Sequence, residues 1–197
     1  MKKRIYPIAL VLEGKPCLVV GSGPEAARRA RGLLEAGAAL TVVAPAPDAE
    51  LESLARDGSV RLERREFAES DLDRCWLAVL TDTNTELAAR VAEAAERRRV
   101  LFAALDRPES SGFFHMAIAR AGALLIAIST SGSVPALGRR LRQELERVLS
   151  EAKLEEFVER LAELREKTPS ADRSRLLGRA VSGLRLTGKL ELPEIES

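Results

Sequence analysis

The segment CLVVGSGPEAARRA, residues 17–30, decides the fold that the sequence predicts. It begins with a short apolar run rich in β-branched residues, which is typical of a strand buried on both faces of a sheet. A helical pattern follows, in which Pro24 suits the first turn and Gly37 suits the exit. The run ALTVVAP, residues 39–45, then predicts a second buried strand. A strand, a helix and a strand within about 30 residues make one βαβ unit.

The same alternation continues along the chain. Helical patterns alternate with apolar strand patterns, with helices predicted at 48–58 and 84–99 and strands at 4–13, 60–67, 75–81 and 100–106. Alternating elements with buried strands predict a parallel sheet covered by helices on both sides. We therefore expect an α/β fold with a Rossmann-like, mostly parallel sheet.

The pattern changes after Pro108. Residues 111–130 hold two apolar segments around Gly122, either two strands or a strand and a short helix, and Ser133 and Pro135 then open a helix. The rest of the chain is highly charged, with apolar residues at helical spacing. The sequence thus predicts three parts: a Rossmann domain over 1–110, a middle segment over 111–149 and a small helical domain over 150–197.

The turn after the first strand matches G-x-G-x-x-A, the pattern that opens dinucleotide-binding βαβ units. Gly21 permits the tight turn, Gly23 lets the backbone approach a pyrophosphate, and Ala26 allows close helix packing. The helix start adds N–H donors and a positive dipole end. The alternative is a plain strand–helix turn. No acidic residue ends the second strand, where Asp48 comes late, and no arginine stands there to meet an extra phosphate, so NAD is favoured over NADP.

Two other stretches carry candidate chemistry. Asp106 ends a strand at the edge where open α/β sheets bind ligands, and a carboxylate there can act as a general base; a turn or helix-cap aspartate is the other reading. Residues 129–135 (STSGSVP) offer hydroxyl and backbone donors to an anion. Arg139, Arg140 and Arg142 follow on the next helix, and they suit either a substrate with several carboxylates or a solvated helix face.

Composition narrows the class of protein. The 197 residues include 31 basic and 30 acidic side chains, so no overall basic charge points to nucleic acid. Two cysteines and one histidine are too few for a disulfide framework or a protein metal site, and none is expected. No apolar run is long enough to span a membrane, and the first residues lack the core of a secretory signal. We expect a cytoplasmic protein.

Together these stretches resemble the siroheme synthase N-terminal domain family, which comprises precorrin-2 dehydrogenases and sirohydrochlorin ferrochelatases. The resemblance covers essentially the whole chain. It is carried by residues 6–38, by the block CWLAVLTD at 75–82, by the strand that ends in Asp106 and, most specifically, by IAISTSGSVPALGRRLRQELE at 126–146.

The resemblance implies NAD-dependent oxidation of precorrin-2 to sirohydrochlorin by a homodimer, with 111–149 as a dimerisation segment, 150–197 as a helical C-terminal domain and Asp106 as the catalytic residue. Some members of the family also insert ferrous iron. Three readings stay open: oxidation with iron insertion, oxidation alone, and binding of NAD and tetrapyrrole without catalysis. Cofactor contacts are expected at Gly21, Ser22, Gly23, Pro24, Glu25, Ala44, Pro45, Ala46 and Thr81. Substrate contacts are expected at Ser129, Thr130, Ser131, Gly132 and Arg139.

Overall fold

The computed structural model describes residues 4–188 and 190–192. The chain forms two compact units. The first comprises residues 4–115 together with Ser131–Ser133, and the second comprises Met116–Thr130 together with the described residues from Val134 onward. The three-part division with boundaries after 110 and 149 stays a prediction.

The first unit is built on a five-stranded parallel sheet. Its strands are β1 (Pro16–Val20), β2 (Ala39–Val43), β3 (Arg61–Glu63), β4 (Leu77–Leu80) and β5 (Leu101–Ala104), in the order β3-β2-β1-β4-β5. Cys17 to Val20 of β1 are all buried, because helices cover both faces of a parallel sheet. This topology confirms the predicted Rossmann-like α/β fold.

Three helices cover the two faces of this sheet: α1 (Gly23–Glu35), α2 (Ala49–Arg56) and α3 (Thr85–Arg98). Successive residues of a strand point to opposite faces, so Val19 joins the core formed with α1 and α2, and Leu18 joins the core formed with α3. The buried residues of α1 are mainly alanines, which let the helix approach the sheet closely. A short 3₁₀ turn at Glu69–Leu72 precedes β4.

The second unit begins with an antiparallel hairpin of β6 (Ala117–Ala121) and β7 (Leu124–Ile128), so the two-strand reading of this region is correct. Three helices follow: α4 (Pro135–Glu151), α5 (Leu154–Lys167) and α6 (Ser170–Val181). Its buried core is small and holds Ala119, Ala121 and Leu149, against which Ile126, Leu145 and Leu154 pack.

The strand predicted over 4–13 is wrong. These residues form no strand, and most of their side chains are exposed, with Tyr6 at 87% and Val11 at 78%. Apolar residues make a strand only where a neighbouring strand takes their backbone hydrogen bonds, and the edges of the sheet are formed by β3 and β5. Of residues 4–13, only Leu12 is buried, and it packs in the core of the first unit.

Two other elements differ from their predictions. The strand predicted over 60–67 shrinks to β3, because the next residues turn away from the sheet: Arg64 pairs with Glu52, and Arg65 pairs with Asp71. The cap of α4 is Val134 rather than Ser133. The Val134 N–H donates to the Thr130 hydroxyl at 3.2 Å, so the hydroxyl that satisfies this helix start comes from four residues upstream.

No helix in the parts of the chain that the structure describes is long and apolar enough to cross a membrane.

Both cysteines are shielded, and we expect them to be unreactive. Burial raises the pKa of the Cys17 thiol, and it raises the pKa of Cys75 to about 12. Because the thiolate is the nucleophile, the native protein should show no fast thiol with a disulfide reagent such as DTNB at about pH 8. In the protein unfolded in guanidinium chloride, both thiols should react fast. A native thiol that reacts at the unfolded rate would contradict this prediction.

Candidate functional site

The candidate site lies at the carboxyl edge of the parallel sheet. The strands β1, β2, β4 and β5 end in register there, so the loops that leave them begin side by side. Gly21 follows β1, Ala44 follows β2, Thr81 follows β4, and Asp106 comes just after β5. In open α/β sheets this is the edge where ligands bind. The structure thus gathers the predicted cofactor residues and Asp106 at one edge.

The turn after β1 packs directly against the loop after β4. Gly21 has a φ of +125°, and a Cβ there would lie 2.4 Å from the Thr81 hydroxyl oxygen and 3.1 Å from the Asp82 nitrogen. Thr81 is buried, and its hydroxyl donates to the Val20 carbonyl at 3.3 Å. The Gly21 N–H donates to the Val43 carbonyl at 3.0 Å. Only glycine fits this position, because both its backbone angle and the space around it exclude a side chain.

The start of α1 is an open cradle. Gly23 has a φ of +83°, and a Cβ there would meet no atom within 4 Å. Ser22 is the N-cap, but its hydroxyl makes no capping bond, and Pro24 stands in the first turn, where no N–H is needed. The remaining N–H groups and the positive end of the helix dipole therefore face space that suits an anion. These residues fit the pyrophosphate of a dinucleotide.

Glu25 lies in the first turn of α1, and its carboxylate is held by two arginines of the same helix. Arg28 contacts it at 2.6 Å and Arg29 at 2.8 Å. Burial alone would raise the pKa of Glu25, but these two guanidiniums outweigh burial and lower it. Glu25 is therefore a charged carboxylate at neutral pH, and its contact with a cofactor stays a prediction.

The residues after β2 are partly buried and partly exposed at this edge of the sheet. Ala44 is buried, and its N–H donates to the Glu63 carbonyl at 3.0 Å, whereas Pro45 and Ala46 are exposed. Asp48 accepts a hydrogen bond from the Leu51 N–H at 2.9 Å and caps α2. The Asp48 carboxylate stabilises the start of α2. This structural role explains why the acid lies several residues beyond the end of β2.

Asp106 sits in a tightly braced turn. It is exposed and has a φ of +54°, a left-handed conformation that is uncommon for residues other than glycine. The buried Ser111 hydroxyl accepts from the Ala104 N–H at 3.1 Å and donates to the Arg107 carbonyl at 2.8 Å. The Gly112 N–H donates to the Phe102 carbonyl at 2.8 Å. Ser111 therefore fixes the backbone on both sides of Asp106.

Arg29 interacts electrostatically with Asp106 and also with His115. The Arg29 side chain is only 15% exposed. Burial lowers its pKa and Arg28 adds to this, whereas the charges of Glu25 and Asp106 act in the opposite direction. The pKa of His115 is also lowered, first by partial burial and then by Arg29 and Arg28. The Arg29 guanidinium therefore acts electrostatically on Asp106, and the neutral His115 imidazole lies within range of the same guanidinium.

Sequence reasoning did not assign Arg29, Arg107 or Ser111 to the site. The spacing of Glu25 and Arg29, four residues apart on one helix, signals their ion pair. No sequence pattern signals the electrostatic interaction of Arg29 with Asp106, or the bonds of Ser111, because these depend on how the chain folds back after β5.

The predicted substrate residues are divided between the two units. Ser131 and Gly132 belong to the first unit and have positive φ angles, whereas Ser129 and Thr130 belong to the second. Arg139 is exposed on α4. The neighbouring arginines of α4 pair within that helix, Arg140 with Glu144 and Arg142 with Glu146, both at 2.5 Å. The substrate roles of Ser129, Thr130, Ser131, Gly132 and Arg139 stay predictions.

Among residues 4–188 and 190–192, no group of three or more His, Cys, Asp or Glu side chains is arranged to hold a metal ion.

The sheet, the glycine turn and the open helix start define a dinucleotide-binding protein of the Rossmann class. Residues 8–117 match a family described as putative NAD(P)-binding. Siroheme synthase 2 of Cronobacter sakazakii is 43% identical over 143 residues, and siroheme synthase of Escherichia coli K12 is 41% identical over the same length. Each match covers 73% of this chain and 31% of the relative. The solved structure of SirC, a precorrin-2 dehydrogenase, is similar with a TM-score of 0.75 and 29% identity, over 90% of this chain and 89% of that one.

The chain belongs to the putative NAD(P)-binding family, in the group that contains the siroheme synthases and SirC. This confirms the family that the sequence predicted. The chain spans about a third of the length of the curated siroheme synthases, 31%, but nearly the whole length of SirC.

The two glycines of the turn should respond differently to alanine. Gly21→Ala places a Cβ against Thr81, and we expect it to lower the free energy of unfolding by about 2–4 kcal/mol. In Gly23→Ala the new Cβ meets open space, so we expect the free energy of unfolding to fall by only about 1–2 kcal/mol, because of the left-handed backbone angle. We also expect this variant to lose NAD affinity by about tenfold or more. Urea unfolding and calorimetric titration with NAD measure these effects. Equal destabilisation by both variants would contradict the packing of Gly21.

Proposed function

We propose that this protein oxidises precorrin-2 to sirohydrochlorin with NAD as the acceptor. One observation carries the proposal: an open dinucleotide cradle at the start of α1 and a braced acidic turn at Asp106 lie at one edge of the same sheet. The similarity to SirC, a precorrin-2 dehydrogenase, extends over 90% of this chain and adds support.

Asp106 is the proposed base. The oxidation removes two hydrogens from the reduced tetrapyrrole, one as a hydride and one as a proton. Bound NAD supplies the acceptor for the hydride. Asp106 takes the proton on its exposed carboxylate, which Ser111 holds in place through the backbone on either side. The Arg29 guanidinium and this carboxylate attract each other electrostatically, and the charge of Asp106 acts to raise the pKa of Arg29.

The cofactor contacts follow the edge of the sheet. The backbone of Gly21, Ser22 and Gly23 and the first turn of α1 at Pro24 and Glu25 would bind the pyrophosphate. Ala44, Pro45 and Ala46 would line the adenosine side, and Thr81 would support the turn from behind. These assignments are supported by the open space above Gly23 and by the contact of Gly21 with Thr81.

Two ion pairs favour NAD over NADP. β3 ends beside β2, and Arg64 and Arg65 come directly after it. Arg64 is bidentate to Glu52 at 2.6 and 3.0 Å, and Arg65 is bidentate to Asp71 at 2.7 and 2.9 Å. These guanidiniums are already paired with carboxylates, whereas an extra ribose phosphate requires a cation of its own.

The substrate is a tetrapyrrole with eight carboxylates, which requires several anion-binding groups. Ser129, Thr130, Ser131 and Gly132 offer hydroxyl and backbone donors, and Arg139 offers an exposed guanidinium. Such donors bind carboxylates through charge-assisted hydrogen bonds. A cytoplasmic location and the use of ferrous iron as a second substrate belong to the same proposal.

The β6–β7 hairpin is the proposed dimer contact. Among the described residues β7 pairs with β6 alone, in a two-stranded sheet, and Leu124 and Leu125 of β7 are exposed, Leu125 at 52%. Two-stranded sheets are marginally stable alone, and an apolar edge strand pairs readily with another chain. A second copy of this chain would cover both leucines.

Leu125→Glu should convert a dimer into a monomer, because the charge would be buried in the proposed contact. Light scattering after size-exclusion chromatography measures the mass of each species. Leu186→Glu, which changes a leucine that is 77% exposed outside the hairpin, is the matched control and should leave the dimer intact. A monomeric wild type, or a dimeric Leu125→Glu variant, would contradict the proposal.

An anaerobic assay of wild type and Asp106→Asn tests the function. Wild type with precorrin-2 and NAD should form NADH and sirohydrochlorin together. Asparagine tolerates the left-handed backbone angle of Asp106 but is not a base, so turnover should fall by about 100-fold or more. The dissociation constant for NAD should stay within about twofold of the wild-type value, because Asp106 is not among the proposed cofactor contacts.

Asp57→Asn, at an exposed aspartate that ends α2, is the control for this variant and should keep wild-type turnover. Unchanged turnover by Asp106→Asn would rule out its role as the base. If wild type binds both NAD and precorrin-2 but forms no NADH, the carrier reading replaces the enzyme. Where wild type forms sirohydrochlorin, addition of ferrous iron tests whether siroheme forms faster than in the protein-free control.

A further inference from the structure

Arg107 joins two loops of the candidate site. Its Nη2 donates to the Thr83 carbonyl at 2.7 Å and to the Thr85 hydroxyl at 2.9 Å. Thr83 lies in the loop between β4 and α3, and Thr85 is the first residue of α3. Arg107 directly follows Asp106 in the chain. One side chain therefore connects the turn that holds the acidic residue to the loop after β4.

The loop after β4 is the same segment that supports the glycine turn. It begins at Thr81, whose hydroxyl oxygen occupies the space next to Gly21. Within it the Asp82 carboxylate accepts from the Asn84 N–H at 2.7 Å, and Asn84 caps α3. The loop is thus a short, internally bonded segment between the glycine turn and Arg107. A continuous set of contacts runs from the dinucleotide turn to the Asp106 turn.

Asp106 requires such support. A residue other than glycine in the left-handed region costs about 1–3 kcal/mol and persists only where its surroundings hold it. Ser111 fixes the backbone of the turn from the side of β5. Arg107 fixes it from the side of β4 and α3. Without Arg107, the Ser111 hydroxyl and the bond from the Leu105 N–H to the Leu80 carbonyl at 2.9 Å would still hold the turn, but its connection to Thr83 and Thr85 would be lost.

We propose that Arg107 is a positioning residue, which keeps the Asp106 turn aligned with the loop that supports the dinucleotide turn. This inference rests on the proposed function. Because Arg107 acts through the backbone and not on the cofactor, its loss should lower kcat more than NAD affinity. A misplacement of about 1 Å at a reacting group can lower the rate by about 100-fold.

Variants of Thr85 distinguish this positioning role from a general effect of the Arg107 charge. Thr85→Val keeps the shape of the side chain and the charge of Arg107 but removes the acceptor at 2.9 Å. Thr85→Ser keeps the hydroxyl. If the bonds of Arg107 matter, the valine variant should resemble a weaker form of Arg107→Gln, and the serine variant should resemble wild type.

The test compares Arg107→Gln, Thr85→Val and Thr85→Ser with wild type in the full chain. Arg98→Gln, which removes a partly exposed arginine that bonds to the Ala94 carbonyl and to Asp73 at the opposite end of α3, is the matched control. Amide hydrogen exchange over 105–111, NAD titration, and kcat and KM for precorrin-2 are measured for each. We expect Arg107→Gln to exchange about fivefold or more faster over 105–111, to lose about tenfold in kcat, and to bind NAD within about twofold of wild type.

Unchanged exchange over 105–111 in Arg107→Gln would overturn the inference, whatever the activity. Faster exchange with unchanged kcat would also overturn it, because the bridge would then order the turn without serving the reaction. Equal effects of Thr85→Val and Thr85→Ser would exclude the hydroxyl contact as the cause. A wild type that binds NAD and precorrin-2 without turnover overturns the proposed function, and the exchange data then decide separately whether Arg107 orders the turn.

Discussion

The parallel pairing of β1 between β2 and β4 is the constraint on which the site depends. Val20 is paired with Val43 on one side and with Leu80 on the other, so three loops leave the sheet at the same level. The contact between Gly21 and Thr81 is possible only in this register. A shift of one residue would also exchange the buried faces of β1, which pack against different helices. The core of the first unit therefore sets the geometry of the candidate site.

Small residues on the inner faces of the helices let the start of α1 lie close to the edge of the sheet. α1 buries Ala26, Ala27 and Ala30 against the sheet, and this close packing places the first turn of α1 beside the glycine turn. α3 packs on the other face in the same way, through alanines and Val91. Larger side chains on the inner face of α1 would move its N-terminus away from the edge, and the N–H donors would no longer lie beside Gly21.

Local patterns in the sequence predicted the βαβ units and the glycine turn, because strand burial, helix periodicity and G-x-G-x-x-A are properties of neighbouring residues. The prediction failed for residues 4–13, where an apolar run resembles a strand but lacks a neighbouring strand to pair with. It placed Asp106 at the correct edge. It did not assign Ser111 or Arg107 to the site, because their partners are chosen by the path of the chain after β5 and not by spacing.

The unusual backbone of Asp106 follows from the same constraint. The turn after β5 needs a left-handed residue, and glycine would adopt that conformation without strain. Glycine carries no carboxylate, however, so a glycine there would relieve the backbone strain and remove the proposed base. The chain keeps the acid and holds the strained turn with hydrogen bonds of the Ser111 hydroxyl and the Arg107 guanidinium. Strain held in place by neighbouring polar contacts is typical of functional residues, and here it falls on the one carboxylate that the proposed oxidation requires.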